Sequence, residues 1–236
     1  FDLPMALAIL GAGQAEKSRL SGALVLGELG LDGQVRPVSG IIPAILAARS
    51  QGYDTLIIPV GNAAEAALVS GITVLVAETL WDAFAWACGS DCLPDAHLIA
   101  HAAAPACEQV ADFSEVAGQK EAKWAAEVAA AGGHHVMMVG PPGSGKSMIA
   151  SRLPGILPRL STEQAVEATA IHSVAGAVGT AISRAPFIAP HASVTRAALI
   201  GGGSGRPRPG AVSLAHHGVL FLDEASYKHP RPQEPR

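Results

Sequence analysis

Short apolar runs of strand length alternate with segments of helical period through the first third of the chain. Residues 23–29 and 55–60 are aliphatic, β-branched runs that predict strands. Pro43 can open a helix running to Arg49, because the first helical position has no intrahelical use for its N–H. Asn62 is placed to cap a helix through Val69, which Gly71 closes. Residues 72–77 predict a third strand, and Thr79 followed three residues later by Asp82 predicts a capped helix to Cys88. Strands separated by helices of this length define a small α/β domain.

The pattern then changes. Gly89, Ser90, Pro94 and Pro105 stand among alanines and polar residues, which predicts a linker up to residue 111. Residues 119–131 regain helical period, with Trp124, Val128 and Ala131 on one stripe, and Gly132 and Gly133 stop that helix. Residues 136–139 predict a short buried strand that runs straight into glycine-rich sequence, and a helix follows over residues 146–153.

A strand, a glycine-rich turn and a helix form the context a phosphate loop requires. Gly140, Pro141, Pro142, Gly143, Ser144, Gly145, Lys146 and Ser147 match G-x-x-x-x-G-K-[ST] in full, and Met148 continues into the helix. Glycine lets the backbone turn N–H groups inward around phosphates. Lys146 supplies a point charge for the β- and γ-phosphates, and the Ser147 hydroxyl can ligate Mg2+. Downstream, four apolar residues at 219–222 end in Asp223 and Glu224. Two carboxylates at the end of a buried strand are costly unless they serve a cation or a reacting water. Asp223 would hold Mg2+, largely through its waters, and Glu224 would polarise the attacking water. ATP with Mg2+ is the expected ligand pair.

Charge sharpens the division of the chain. Residues 1–115 hold 4 Lys/Arg against 13 Asp/Glu, whereas residues 116–236 hold 12 against 7, so the halves have opposite balance and suit different partners. Residues 168–222 contain no acid but include Arg184, Arg196, Arg206 and Arg208 in glycine- and proline-rich sequence. Such loops suit phosphates of a nucleic-acid backbone, and equally suit ion pairs with a neighbouring subunit or with the acidic first part. The histidine pairs at 134–135 and 216–217 lack a carboxylate or Cys at metal spacing. Three cysteines leave an odd thiol in any disulfide scheme, which points to a reducing, cytoplasmic setting. No apolar run approaches the roughly 18 residues that span a bilayer.

Taken together, the text at residues 112–119, 133–135, 140–147, 153–158, 171–176, 185–191, 201–204, 207–210, 213–216 and 218–224 resembles the YifB/ComM family, the magnesium-chelatase-like AAA+ ATPases of bacteria. Residues 1–4, 26–33 and 35–38 are similar to the end of that family's amino-terminal domain, which resembles the Lon protease domain and ribosomal-protein S5 domain 2. The resemblance implies an α/β chain: a partial Lon-protease/ribosomal-S5-domain-2-like domain (1–92), a linker (93–111) and an incomplete P-loop AAA+ αβα core (112–224). It also implies a homo-hexameric motor on DNA that drives branch migration during recombination and natural transformation, with the acid-free loops at 184–210 including pore or DNA-facing elements. The alternatives are a chelatase-type motor acting on a protein partner and a non-hydrolysing remnant. Proteolysis is not expected, because Met5 and Ile42 stand where Lon-type enzymes carry their serine and lysine.

Residues 225–236 depart from the family pattern, being proline-rich and charged. The sensor strand, arginine finger and helical lid that the resemblance implies do not occur in the chain. The strand at 136–139 would then lack its usual neighbours. The chain as written is expected to bind ATP at best weakly and to turn it over slowly or not at all, as a piece or a truncated form of a longer protein.

Overall fold

The apolar run at 55–60 becomes the middle strand of a parallel sheet, and its burial explains its composition. The computed structural model describes residues 1–12, 19–102, 111–203 and 207–223. In chain order the first elements are α1 (Asp2–Gly11), β1 (Ala23–Val25), β2 (Glu28–Leu29), β3 (Val35–Arg36), α2 (Ile41–Ser50), β4 (Thr55–Pro59), α3 (Ala63–Ala66), β5 (Thr73–Ala77), α4 (Leu80–Ala87) and α5 (Ala96–Ala102). There follow α6 (Lys120–Gly132), α7 (Lys146–Ile156), α8 (Thr162–Ala175), β6 (Phe187–Ile188), α9 (Arg196–Ile200), β7 (Gly201–Gly202), β8 (Arg208–Pro209), α10 (Ala211–Leu214) and β9 (Val219–Leu220). The chain is α/β and divides into two units. One comprises Phe1–Glu108 with Leu160–Ser183, the other Gln109–Arg159 with Arg184–Arg236.

In the first unit the sheet order is β1-β4-β5, all parallel. Alternation along β4 sends Leu56 and Ile58 to one face and Ile57 to the other, and all three are fully buried. Leu56 and Ile58 pack with Ile41, Ile42 and Ile45 of α2, and with Ile99, Val166 and Ala170 from α5 and α8. Ile57 packs with Leu3 and Leu7 of α1 and with Ala83 and Trp86 of α4. Each fully buried Leu or Ile stabilises the unit by about 1.5–3 kcal/mol relative to exposure. The capping box forms as expected: Thr79 Oγ1 accepts the Asp82 N–H at 3.2 Å, and Asp82 Oδ2 accepts the Thr79 N–H at 2.8 Å. Such a cap contributes about 1 kcal/mol.

Several expectations are corrected. The run at 23–29 splits into two strands, the second of which leaves the parallel sheet to pair antiparallel with β3. The helix after Asn62 is a single turn, and the Asn62 side chain does not cap it. Asn62 is instead fully buried: its Oδ1 accepts the Val38 N–H at 3.0 Å and its Nδ2 donates to the Val38 carbonyl at 2.9 Å. A side chain that clamps a distant backbone segment is no longer available to its own helix. The expected linker contains α5, whose Ala96 is fully buried in the core of the first unit. Helix α8 follows the phosphate loop in sequence yet completes the first unit, with Ser173 Oγ accepting the Gly40 N–H at 2.9 Å.

In the second unit, α6 and α7 pack around Phe113, Val116, Ala126 and Ile149. Gly133 ends α6 in the left-handed conformation, as expected of the glycine pair. The buried side of α6 is not the expected stripe: Trp124 is 68% exposed, while Ala126 and Ala129 are buried. Alanine occurs on both sides of this helix, so period alone does not choose the face. Residues 136–139 form no strand, and Met137 and Val139 are 87% and 84% exposed. Among the described residues no strand pairs with them, and an unpaired segment has no ladder to define it. Farther on, β6 and β9 run parallel, and β7 pairs antiparallel with β8.

Candidate phosphate-binding site

The glycine-rich turn lies within the second unit and is held open by its own backbone geometry. Gly143 and Gly145 have φ of 76° and 83°, a region that disfavours side chains. A Cβ on Gly145 would also lie 2.5 Å from Gln119 Nε2 and would push that amide off the Ser144 carbonyl it serves. Ser144 N–H closes the turn onto the Pro141 carbonyl at 3.3 Å, and the first intrahelical bond of α7 runs from Ile149 N–H to the Gly145 carbonyl at 3.0 Å. Earlier amides of a helix have no partner within it. Accordingly the N–H groups of Gly145, Lys146, Ser147 and Met148 have no acceptor among the described residues. The Gly143 amide is in the same condition.

Lys146 lies over this array. Its Nζ donates to the Gly140 carbonyl at 2.9 Å and to the Pro141 carbonyl at 3.0 Å, with Ser144 Oγ at 3.5 Å. No carboxylate neutralises it among the described residues. An ammonium resting on neutral carbonyls beside several vacant amides is a site of net positive potential, and it fits a polyanion such as a nucleotide phosphate chain.

The acid expected at the end of the second strand reaches this loop. β9 is continued by a Phe221 N–H bond to the Ile188 carbonyl at 2.8 Å, after which the chain turns at Asp223. Ser147 Oγ donates to Asp223 Oδ2 at 3.1 Å across 76 residues of sequence. A hydroxyl and a carboxylate oxygen in contact are two hard oxygen donors, the ligand type Mg2+ takes. Glu224 lies outside the described residues.

Residues not singled out as ligands brace the loop. Gln119 Nε2 donates to the Ser144 carbonyl at 2.9 Å. Arg152, one helical turn past Met148, pairs with Glu115 at 2.6 Å and donates from Nε to the Asp112 carbonyl at 3.1 Å. Asp112 caps the turn at 113–115, and the Ser114 side chain, then its backbone N–H at 2.7 Å, hold the Asp112 carboxyl below its ordinary range. The segment 112–119 is therefore a strut under the phosphate loop. Its short-range signal was only the Asp-x-Ser turn; the contacts with Ser144 and Arg152 are long-range. Arg196 and Arg208 are exposed and Arg184 half-buried, with no ion pair among the described residues, while Arg206 lies outside them. No helix among the described residues is long and apolar enough to cross a membrane.

The glycine-rich turn of the second unit, with amides that lack acceptors among the described residues and a Ser–Asp contact beside them, has the form of a phosphate site, and comparison with known proteins defines the family. Residues 112–233 match the family described as "Magnesium chelatase, subunit ChlI", and residues 1–62 match "Subunit ChlI of Mg-chelatase". The chain is 43% identical over 232 residues to the competence protein ComM of Haemophilus influenzae, covering 95% of this chain and 45% of that protein. It is 40% identical over 227 residues to YifB of Escherichia coli, covering 95% of this chain and 44% of that protein. A Mycobacterium tuberculosis protein is 50% identical over 230 residues, covering 96% of this chain and 45% of its own length. The chain belongs to the YifB/ComM family of magnesium-chelatase-like ATPases, and it spans about 45% of the length of these relatives.

Proposed function

We propose that the chain binds ATP with Mg2+ at the turn of residues 140–147, as the nucleotide-binding part of a DNA-acting motor. The observation that carries this reading is the Ser147–Asp223 contact at 3.1 Å, beside a lysine and amides that lack anionic partners among the described residues. When bound, Mg2+ would offset charge on the transferring phosphoryl group. Ser147 and Asp223 would hold it, Lys146 would leave its two carbonyls for phosphate oxygens, and the amides of residues 143 and 145–148 would receive the remaining oxygens. Gly140, Pro141, Pro142 and Ser144 shape the turn. Glu224 takes the role of orienting the attacking water. Hydrolysis and hexamer formation are read as properties of the longer protein, and the first unit as a Lon/S5-like domain without protease chemistry. The full burial of Ile42 supports that last reading, since no proton acceptor stands there.

Purified chain is expected to bind a fluorescent ATP analogue with magnesium and to release it when EDTA is added. Binding that is indifferent to EDTA would remove the metal from this reading, and no binding at all would remove the nucleotide. The DNA role rests on the exposed arginines at 196 and 208 and on the name of the Haemophilus relative. A chelatase-type motor acting on a protein partner is the competing client, and salt-sensitive capture of branched DNA favours the DNA-acting one.

A further inference from the structure

We propose that His191 is a third polar side chain of the Ser147–Asp223 cavity, donating from Nε2 to the terminal phosphate of a bound nucleoside triphosphate. This rests on the nucleotide reading above and adds to it a group that discriminates triphosphate from diphosphate.

Topology supplies the first reason. β6 and β9 are parallel neighbours with Ile188 opposite Leu220, and His191 and Asp223 each lie three residues beyond that last pair. They leave the sheet at the same level, on the carboxyl side of the strands, where ligands of parallel α/β sheets sit. Ser147, His191 and Asp223 line one cavity there, with the stacked rings of Phe187 and Phe221 (centroids 6.1 Å apart) forming its apolar wall.

The second reason is that the ring is held with one nitrogen committed. Ser193 N–H donates to His191 Nδ1 at 3.2 Å, Ser193 Oγ lies 2.7 Å from the same nitrogen, and Val194 N–H donates to the His191 carbonyl at 2.8 Å. An Nδ1 that accepts from an amide carries no proton, so the proton is on Nε2. Nε2 has no partner among the described residues. The side-chain hydroxyls of the cavity are already engaged: Ser147 Oγ on Asp223, and Ser151 Oγ on the Met148 carbonyl at 3.0 Å. An oriented donor without an acceptor among the described residues, at the level of Ser147 and Asp223, suits an anionic oxygen at the end of the phosphate chain.

The test measures affinities of the full-length protein for ADP and for the non-hydrolysable triphosphate AMP-PNP, both with magnesium, in wild type, His191→Ala, His191→Gln and Lys146→Ala. His191→Ala is expected to weaken AMP-PNP about tenfold and ADP less than about twofold, the loss of one hydrogen bond to a charged group. His191→Gln, which keeps a donor, should recover most of the difference. Equal losses for both nucleotides, or an unchanged AMP-PNP affinity while Lys146→Ala abolishes binding, would overturn the role of His191 alone. A wild type that binds neither nucleotide would overturn the nucleotide site together with it.

Discussion

Replacing Lys146 with alanine should weaken ATP binding by about 100-fold or more while leaving the fold intact. Hydrogen bonds to charged groups are worth about 1.5–3 kcal/mol each, and a lysine serving two phosphates loses two of them, at roughly 1.4 kcal/mol per tenfold. Among the described residues the Lys146 ammonium is held by the Gly140 and Pro141 carbonyls and by Ser144 Oγ, all within its own loop. Removing it therefore exposes two carbonyls that water can reach, a change within about 0.5 kcal/mol. A melting temperature unchanged to within roughly 2 °C alongside lost binding is the expected pair of results. Retained affinity in Lys146→Ala would show that the amides alone carry the phosphates. Lys146→Arg should also bind poorly, because a planar fork cannot replace a compact point charge inside a tight turn.

Asn62→Ala should destabilise the first unit by about 3 kcal/mol, the largest effect expected from a single substitution outside the phosphate loop. Three groups lose a partner at once: the Val38 N–H, the Val38 carbonyl and Glu65 Oε1, to which Asn62 Nδ2 also donates. Glu65 is itself fully buried, and it retains only the Gly179 N–H at 3.1 Å among the described residues, its Oε2 having no partner there. An underserved buried carboxylate costs more than a neutral group would. Asn62→Asp should be worse still, since it removes both donors and sets a second carboxylate beside the first. Urea denaturation followed by far-UV circular dichroism gives the measurement. A loss below about 1 kcal/mol for Asn62→Ala would mean that water serves Val38 and Glu65 as well as the amide does.

These two sites differ in how far sequence reasoning reaches them. The turn at 140–147 is legible because each requirement is local: glycines for left-handed backbone, a lysine and a serine at constant offsets, and a helix whose first amides are vacant by construction. Asn62 carries a local signal as well, since asparagine before a helix is a common cap, but here that signal misleads. Its amide reaches Val38 instead, and nothing within a few residues of either position announces the other. The same limit explains Trp124, whose helix buries its alanine side.

By itself, then, the sequence determined the α/β class, the glycine-rich turn with its lysine and the helix after it, the Thr79–Asp82 box, the stop at Gly133 and the family. Each of these is set by side-chain chemistry or backbone freedom within one turn or one strand. Tertiary structure alone decided that Ser147 meets Asp223, that α8 completes the first unit and that α5 belongs to its core. Burial and pairing are properties of two segments at once, and the free energy that selects among partners is not written in either segment alone.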